Sequence, residues 1–219
     1  MTPTAVFSDI TMIIGSAIEA GLSDQQRYPA MRRVGRNDYD IYIEDSPDLS
    51  PSMKDRPYDE IYDDLSNSGA FNLRMIDGAL IQMLYTFREG GISSHRLAMF
   101  PSPHLEIYED AQREYEDDHI YAEIVGRSLV KFPVRFDFYA DDTAHIDVAH
   151  PKSHLTLGQY RNCRIPVTSP LTPTKFMSFI IRSFYNPAVG RLKFNARGVR
   201  GQFAETITTN ERKVGYFAC

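Results

Sequence analysis

Hydrophobic positions recur along this chain with two different periods, and the changes of period mark out its elements. Phe7, Ile10, Ile13, Ile14, Ala17 and Ile18 return every three or four residues, which predicts an amphipathic helix with Ser8 or Asp9 as its cap and Gly21 as its stop. Tyr39–Ile43 has strand character and is read as an edge strand. Residues 45–70 are rich in Asp, Ser and Pro, which predicts loop with one helical turn near Asp59–Leu65. From Leu80 the period becomes two: Ile81, Met83, Tyr85 and Phe87 alternate with Leu80, Gln82, Leu84 and Thr86. Helical spacing competes here, through Ile76, Leu80, Met83, Leu84 and Phe87. The Asp77-Gly78 pair and the Gly90-Gly91 turn favour a hairpin spanning Leu73–Phe100, which Pro101 and Pro103 end.

An acidic helical run is predicted over Glu106–Asp118. Phe132, Val134, Phe136 and Phe138 then alternate with Pro133, Arg135, Asp137 and Tyr139, a second strand signature. The Asp141-Asp142 turn is expected to fold that strand back onto His145–Val148, continued after a His150-Pro151 bend by His154–Leu157. Pro170-Leu-Thr-Pro173 leads into a helix from Pro173 to Tyr185, with proline in its first turn and Phe176, Ile180, Ile181 and Phe184 on its apolar side. Residues 187–219 are Gly-rich, basic and weakly β-like. No repeat or linker divides the 219 residues. The expectation is a single α+β domain over 1–219, an antiparallel sheet built from hairpins with helices packed on it.

Charge changes this picture more than composition does. The net charge of −5 conceals a division of the chain: residues 1–147 carry 27 acidic against 13 basic side chains, whereas 148–204 carry nine basic and no acidic ones. An acid-free segment suits an anionic partner, with nucleic acid first among them. It equally suits pairing with the acidic half of the same fold, or a protein partner docked on complementary surfaces. The two cysteines, Cys163 and Cys219, build no disulfide framework and fit a reducing compartment. Phe7–Leu22 is interrupted by Ser8, Asp9, Ser16 and Glu19, too polar for a signal or membrane segment. The expectation is a cytoplasmic protein with no membrane partner.

Candidate chemistry concentrates in one stretch. Three of the six histidines and one carboxylate, His145, Asp147, His150 and His154, fall within ten residues. On extended backbone His145 and Asp147 share one face and Ile146 and Val148 the other. Imidazole and carboxylate together suit a divalent metal such as zinc, manganese or iron. The same histidines without metal suit an acid–base pair for cleavage through a ribose 2′-hydroxyl. Lys152, Tyr160, Arg161 and Arg164 follow directly and could bind phosphate. Asp137 with Asp147 is a weaker carboxylate alternative, with spacing wider than a nuclease core wants. The spacing of the histidines matches no standard finger or zincin, and His150 capping a turn with His154 bonded across the sheet is the plain structural alternative. Walker, dinucleotide-binding, serine-elbow and Cys-x-x-Cys motifs are missing from the sequence, which argues against the common NTPase, dehydrogenase and hydrolase classes.

Several blocks taken together resemble one bacterial family: Ile76–Met83 (IDGALIQM), His95–Pro103 (HRLAMFPSP), Pro133–Asp137 (PVRFD), His150–Tyr160 (HPKSHLTLGQY), Cys163–Pro166 (CRIP), Pro170–Pro173 (PLTP) and Phe184-Tyr185. The family is domain of unknown function 2290. The resemblance covers most of the chain and implies a prokaryotic cytoplasmic protein, with no established activity to carry over. Phage defence or a toxin–antitoxin pair is the expected setting. The leading expectation is a nucleic-acid-processing protein, an RNase-like phosphodiesterase using the histidine face. The rival is a non-catalytic subunit that binds protein or nucleic acid within a larger complex.

Overall fold

The computed structural model describes residues 1–46, 56–104, 132–160, 162–185, 198 and 201–219. Their strands join one nine-stranded antiparallel sheet, and three α-helices accompany it among the described residues, an α+β fold. The central hairpin is β5 (Leu80–Arg88) and β6 (Gly91–Phe100), paired from Leu80↔Phe100 to Arg88↔Gly91. β7 (Val134–Tyr139) and β8 (Ser153–Leu157) extend it on one side, and β9 (Ile165–Pro166) follows. On the other side β5 meets β4 (Leu73–Met75), which pairs with β1 (Ser23–Gln26). β3 (Tyr39–Tyr42) also pairs with β5 and carries β2 (Ala30–Arg33) on its far side. Tyr39–Tyr42 is therefore flanked on both sides. The expected edge strand is instead the more exposed β2.

Period-two alternation decides which sheet face is which. Ile81, Met83, Tyr85 and Phe87 are buried on the main core together with Leu97, Met99, Val134, Phe136 and Leu155. Two helices cover this face. α1 (Pro3–Glu19) contributes Val6, Ile10, Ile13, Ile14 and Ala17, and α3 (Pro173–Phe184) contributes Phe176, Met177, Ile180 and Ile181. α1 begins earlier than its apolar pattern suggests, because Pro3 occupies its first turn and the Thr2 hydroxyl caps it. Asp9, expected as a possible cap, is instead buried inside the helix and accepts a hydrogen bond from the Thr174 hydroxyl of α3 at 3.1 Å.

The opposite face is mixed. α2 (Tyr58–Ser68) closes one end of it with Ile61, Tyr62 and Leu65 over Leu80, Ala98 and Phe100. The predicted single turn is thus eleven residues long, with Asp59 and Glu60 at its positive end and Gly69 leaving it at φ 66°. Beyond α2 this face carries charge. Arg96, Asp137 and His154 are direct register partners across β6, β7 and β8, and Asp137 and His154 are both buried.

The connection from β7 to β8 departs from expectation. His145–Val148 is no strand of the hairpin; Ser153–Leu157 alone pairs with β7, from Val134↔Leu157 to Phe138↔Ser153. The Asp141 carboxylate accepts the Thr143 backbone N–H at 2.8 Å and winds Asp142–Ala144 into a 3-10 turn in place of a tight reversal. A single bridge between Ile146 and His150 closes the loop that follows. Val148 sits in its bend at φ 66°, and Ile146 and Val148 are both exposed. The predicted acidic helix over Glu106–Asp118 lies outside the described residues.

Candidate functional site

The looped-out segment delivers its polar side chains to a partner that the sequence reading did not select. A second 3-10 turn, Glu211–Lys213, opens with a reciprocal cap: the Thr208 N–H donates to Glu211 Oε2 at 2.8 Å, and the Glu211 N–H donates to Thr208 Oγ1 at 3.1 Å. This brings the Glu211 carboxylate, buried to 1% exposure, under the loop. His145 Nε2 lies 3.1 Å from Glu211 Oε1. The Thr208 hydroxyl donates onward to Asp147 Oδ1 at 2.6 Å, and the Asn210 amide donates to Asp147 Oδ2 at 2.7 Å. Lys213 Nζ donates to Asn210 Oδ1 at 3.1 Å, which fixes which way that amide faces. The hydrogen bonds from Thr208 and then Asn210 hold the Asp147 carboxyl below the usual carboxylate range.

One ligand atom each from His145, Asp147 and Glu211 lies within 4.8 Å of the others. Donors bonded to one cation at about 2.0–2.4 Å lie no more than about 4–5 Å apart, so the three could hold a single ion once the hydrogen bonds they now make give way to it. An imidazole with two carboxylates suits manganese, zinc or ferrous iron, and three protein ligands leave positions open for water or substrate. Thr208 holds both carboxylates and Asn210 holds Asp147 from behind, the place that outer partners take in metal sites.

The other expected site residues are placed differently. His150 and His154 meet each other edge to face, with ring centroids 5.2 Å apart. His154 is buried and its Nδ1 donates to the Pro151 carbonyl at 2.9 Å. Burial depresses the His154 pKa, against the opposing pull of Asp137, which favours the neutral ring. Asp137 ion-pairs with Arg96 at 3.2 Å and Arg135 at 3.7 Å. Burial works to raise its carboxyl, and the two guanidiniums outweigh that and keep it ionised. Asp137 and Asp147 do not lie on neighbouring strands, because Asp147 belongs to the loop. Of the four residues expected to meet, the His–Asp–Glu cluster therefore takes in two, His145 and Asp147. Lys152 is engaged with Asp142 at 2.6 Å, Tyr160 is 78% exposed, and Arg164 is half-buried near enough to His154 to act on its ionisation. Arg161 lies outside the described residues. Cys163 and Cys219 are both free thiols. Glu211, Thr208 and Asn210 had one readable signal, the Thr-x-x-Glu capping pattern of 208–211.

Fold and cluster together define an α+β protein whose antiparallel sheet carries a His–Asp–Glu cluster on the loops at its β8 side. The chain belongs to the family described as "Uncharacterized conserved protein (DUF2290)", whose model matches residues 22–219. No curated protein and no solved structure matches it. No helix among the described residues is long and apolar enough to cross a membrane.

Proposed function

We propose that this protein is a metal-dependent phosphodiesterase that processes nucleic acid, with RNA as its expected substrate. The observation that supports this most is the meeting of His145, Asp147 and Glu211, from segments more than sixty residues apart, with both carboxylates pre-oriented. A cation there would polarise a phosphoryl oxygen and lower the pKa of a bound water, which is the chemistry hydrolysis of a phosphodiester needs. The acid-free 148–204 segment supplies the positive charge that a polyanion would meet. His154 takes a supporting place in this reading, since a buried imidazole bonded to a backbone carbonyl is poorly placed to exchange protons with substrate, and His150 stands ring to ring beside it.

The test is cleavage of labelled RNA and DNA by purified protein with manganese and with chelator. Manganese-dependent cleavage that Asp147→Asn abolishes supports the proposal; cleavage unaffected by chelator and by Asp147→Asn refutes it. A second reading has its own observation. Asp147 and Glu211 each have both oxygens already engaged by protein groups, as a purely structural clasp between loop and C-terminal segment would. On that reading the protein is a non-catalytic binding subunit, and nucleic acid is retained but never cut under any metal.

A further inference from the structure

α3 turns a polar stripe away from the core, and that stripe faces a cavity. Lys175, Ser178, Phe179, Arg182 and Ser183 recur at helical spacing and line a space of about 530 Å³ with Phe217 opposite. The far wall is fixed. The Phe217 N–H donates to the Pro166 carbonyl at 2.8 Å, the Thr168 N–H donates to the Phe217 carbonyl at 3.0 Å, and the Cys219 N–H donates to Thr168 Oγ1 at 3.1 Å. Phe179 and Phe217 meet edge to face at 5.4 Å, and both pack onto buried Phe136. The rings are therefore held before any ligand arrives.

The side-chain charge in this cavity is of one sign. Lys175 and Arg182 belong to the acid-free segment, no carboxylate side chain lines the space, and neither cation has an ion-pair partner among the described residues. The volume falls within the range of small-molecule sites and is far more than an inorganic anion fills. Such an anion would also leave two phenyl rings facing water. A ligand satisfying both halves carries an anionic group and a planar ring together.

We propose that this cavity binds a nucleotide unit, with its phosphate on Lys175 and Arg182 and its base against Phe179 and Phe217. Guanidinium and ammonium give charge-assisted hydrogen bonds to phosphate, and phenyl rings accept any base by stacking or edge contact. The site shares no residue with the His145–Asp147–Glu211 cluster and stands whether or not that cluster holds metal. The two are linked through one segment, because Glu211 and Phe217 are six residues apart and their α-carbons can be separated by no more than about 20 Å.

The experiment is calorimetric titration of the full chain with adenosine 5′-monophosphate, adenosine, inorganic phosphate and a short oligoadenylate. The expected result is saturable binding of the monophosphate, weaker binding of adenosine and of phosphate, and roughly tenfold loss with Arg182→Ala or Lys175→Ala. Arg182 is exposed on the helix surface, so its substitution leaves the fold in place. Oligoadenylate competing for the same site with the same variant sensitivity also supports the proposal and identifies a nucleic-acid end as the source of the unit. Phosphate binding as tightly as the monophosphate, monophosphate binding indifferent to both substitutions, or no saturable binding overturns it.

Discussion

His95 sets its Nε2 against the Leu171 backbone N–H at 3.1 Å, so the neutral ring carries its proton on Nδ1. Burial, against the pull of Asp137, lowers its pKa from 6.5 to about 4. Between those values the unfolded chain binds a proton that the folded chain refuses. The stability that neutral His95 contributes is therefore complete above pH 6.5 and is lost as pH falls toward 4, a change of roughly 3 kcal/mol. Depressed His154 acts in the same direction, while Asp77, raised by burial, acts in the opposite one. Comparison with a variant isolates the His95 part. Urea denaturation of His95→Gln, which keeps an acceptor for Leu171, is expected to show a shallower loss of stability between pH 7 and pH 4.5 than the parent. Equal slopes would contradict the assignment. Thr208 bears on the cluster itself, since one hydroxyl donates to Asp147 and receives the Glu211 N–H. Thr208→Ala is expected to cost about 1 kcal/mol through the lost cap and to weaken manganese binding by about 10–100-fold. Unchanged affinity in a calorimetric titration would show that the hydroxyl does not position a ligand. At this scale the sequence was legible for residue type and silent on direction. His145 and Asp147 could be picked out from their spacing, whereas Glu211 comes from sixty residues away and reads locally as a cap.

The row Arg96–Asp137–His154 belongs to strands β6, β7 and β8 together, and its energetics are those of a buried ion pair. Asp137→Ala leaves Arg96 and Arg135 without this counter-charge on the sheet and is expected to cost about 3–5 kcal/mol, read by thermal or urea unfolding. A cost below about 1 kcal/mol would mean that other groups compensate the guanidiniums. The middle strand of this row was legible because its alternation is strict against an apolar face, as in Val134 and Phe136. The loop was not legible. Ile146 and Val148 have strand-forming side chains, yet an Asp141 cap winds the preceding turn and Val148 takes up left-handed backbone, neither of which periodicity reports. β3 was misread as an edge for a related reason: a four-residue strand carries no record of how many neighbours it has, and β2 beside it has almost no apolar pattern.

For the molecule as a whole, charge is segregated along the chain, with 27 of the 29 acidic side chains in residues 1–147, an acid-free basic segment over 148–204, and only Glu205 and Glu211 beyond it. Part of this is internal pairing, as with Lys152 and Asp142, and part is unpaired among the described residues, as with Lys175 and Arg182. If the unpaired part meets phosphates, affinity for single-stranded RNA falls steeply with salt, with a log–log slope of about −0.7 per phosphate contacted. A flat dependence in fluorescence anisotropy would remove the polyanion from the account. Whole-chain charge was readable at once from sequence, but which cations remain free depends on where the fold sets the acids. The cation site is the centre of the proposed chemistry. Calorimetric titration of chelator-stripped protein with manganese and with zinc, repeated on His145→Ala and Asp147→Asn, examines that claim most directly. The prediction is one site per chain with at least one of the two ions, lost or weakened at least tenfold in both variants while each remains folded by circular dichroism. Absence of binding to the parent, or binding that both variants retain, would contradict it.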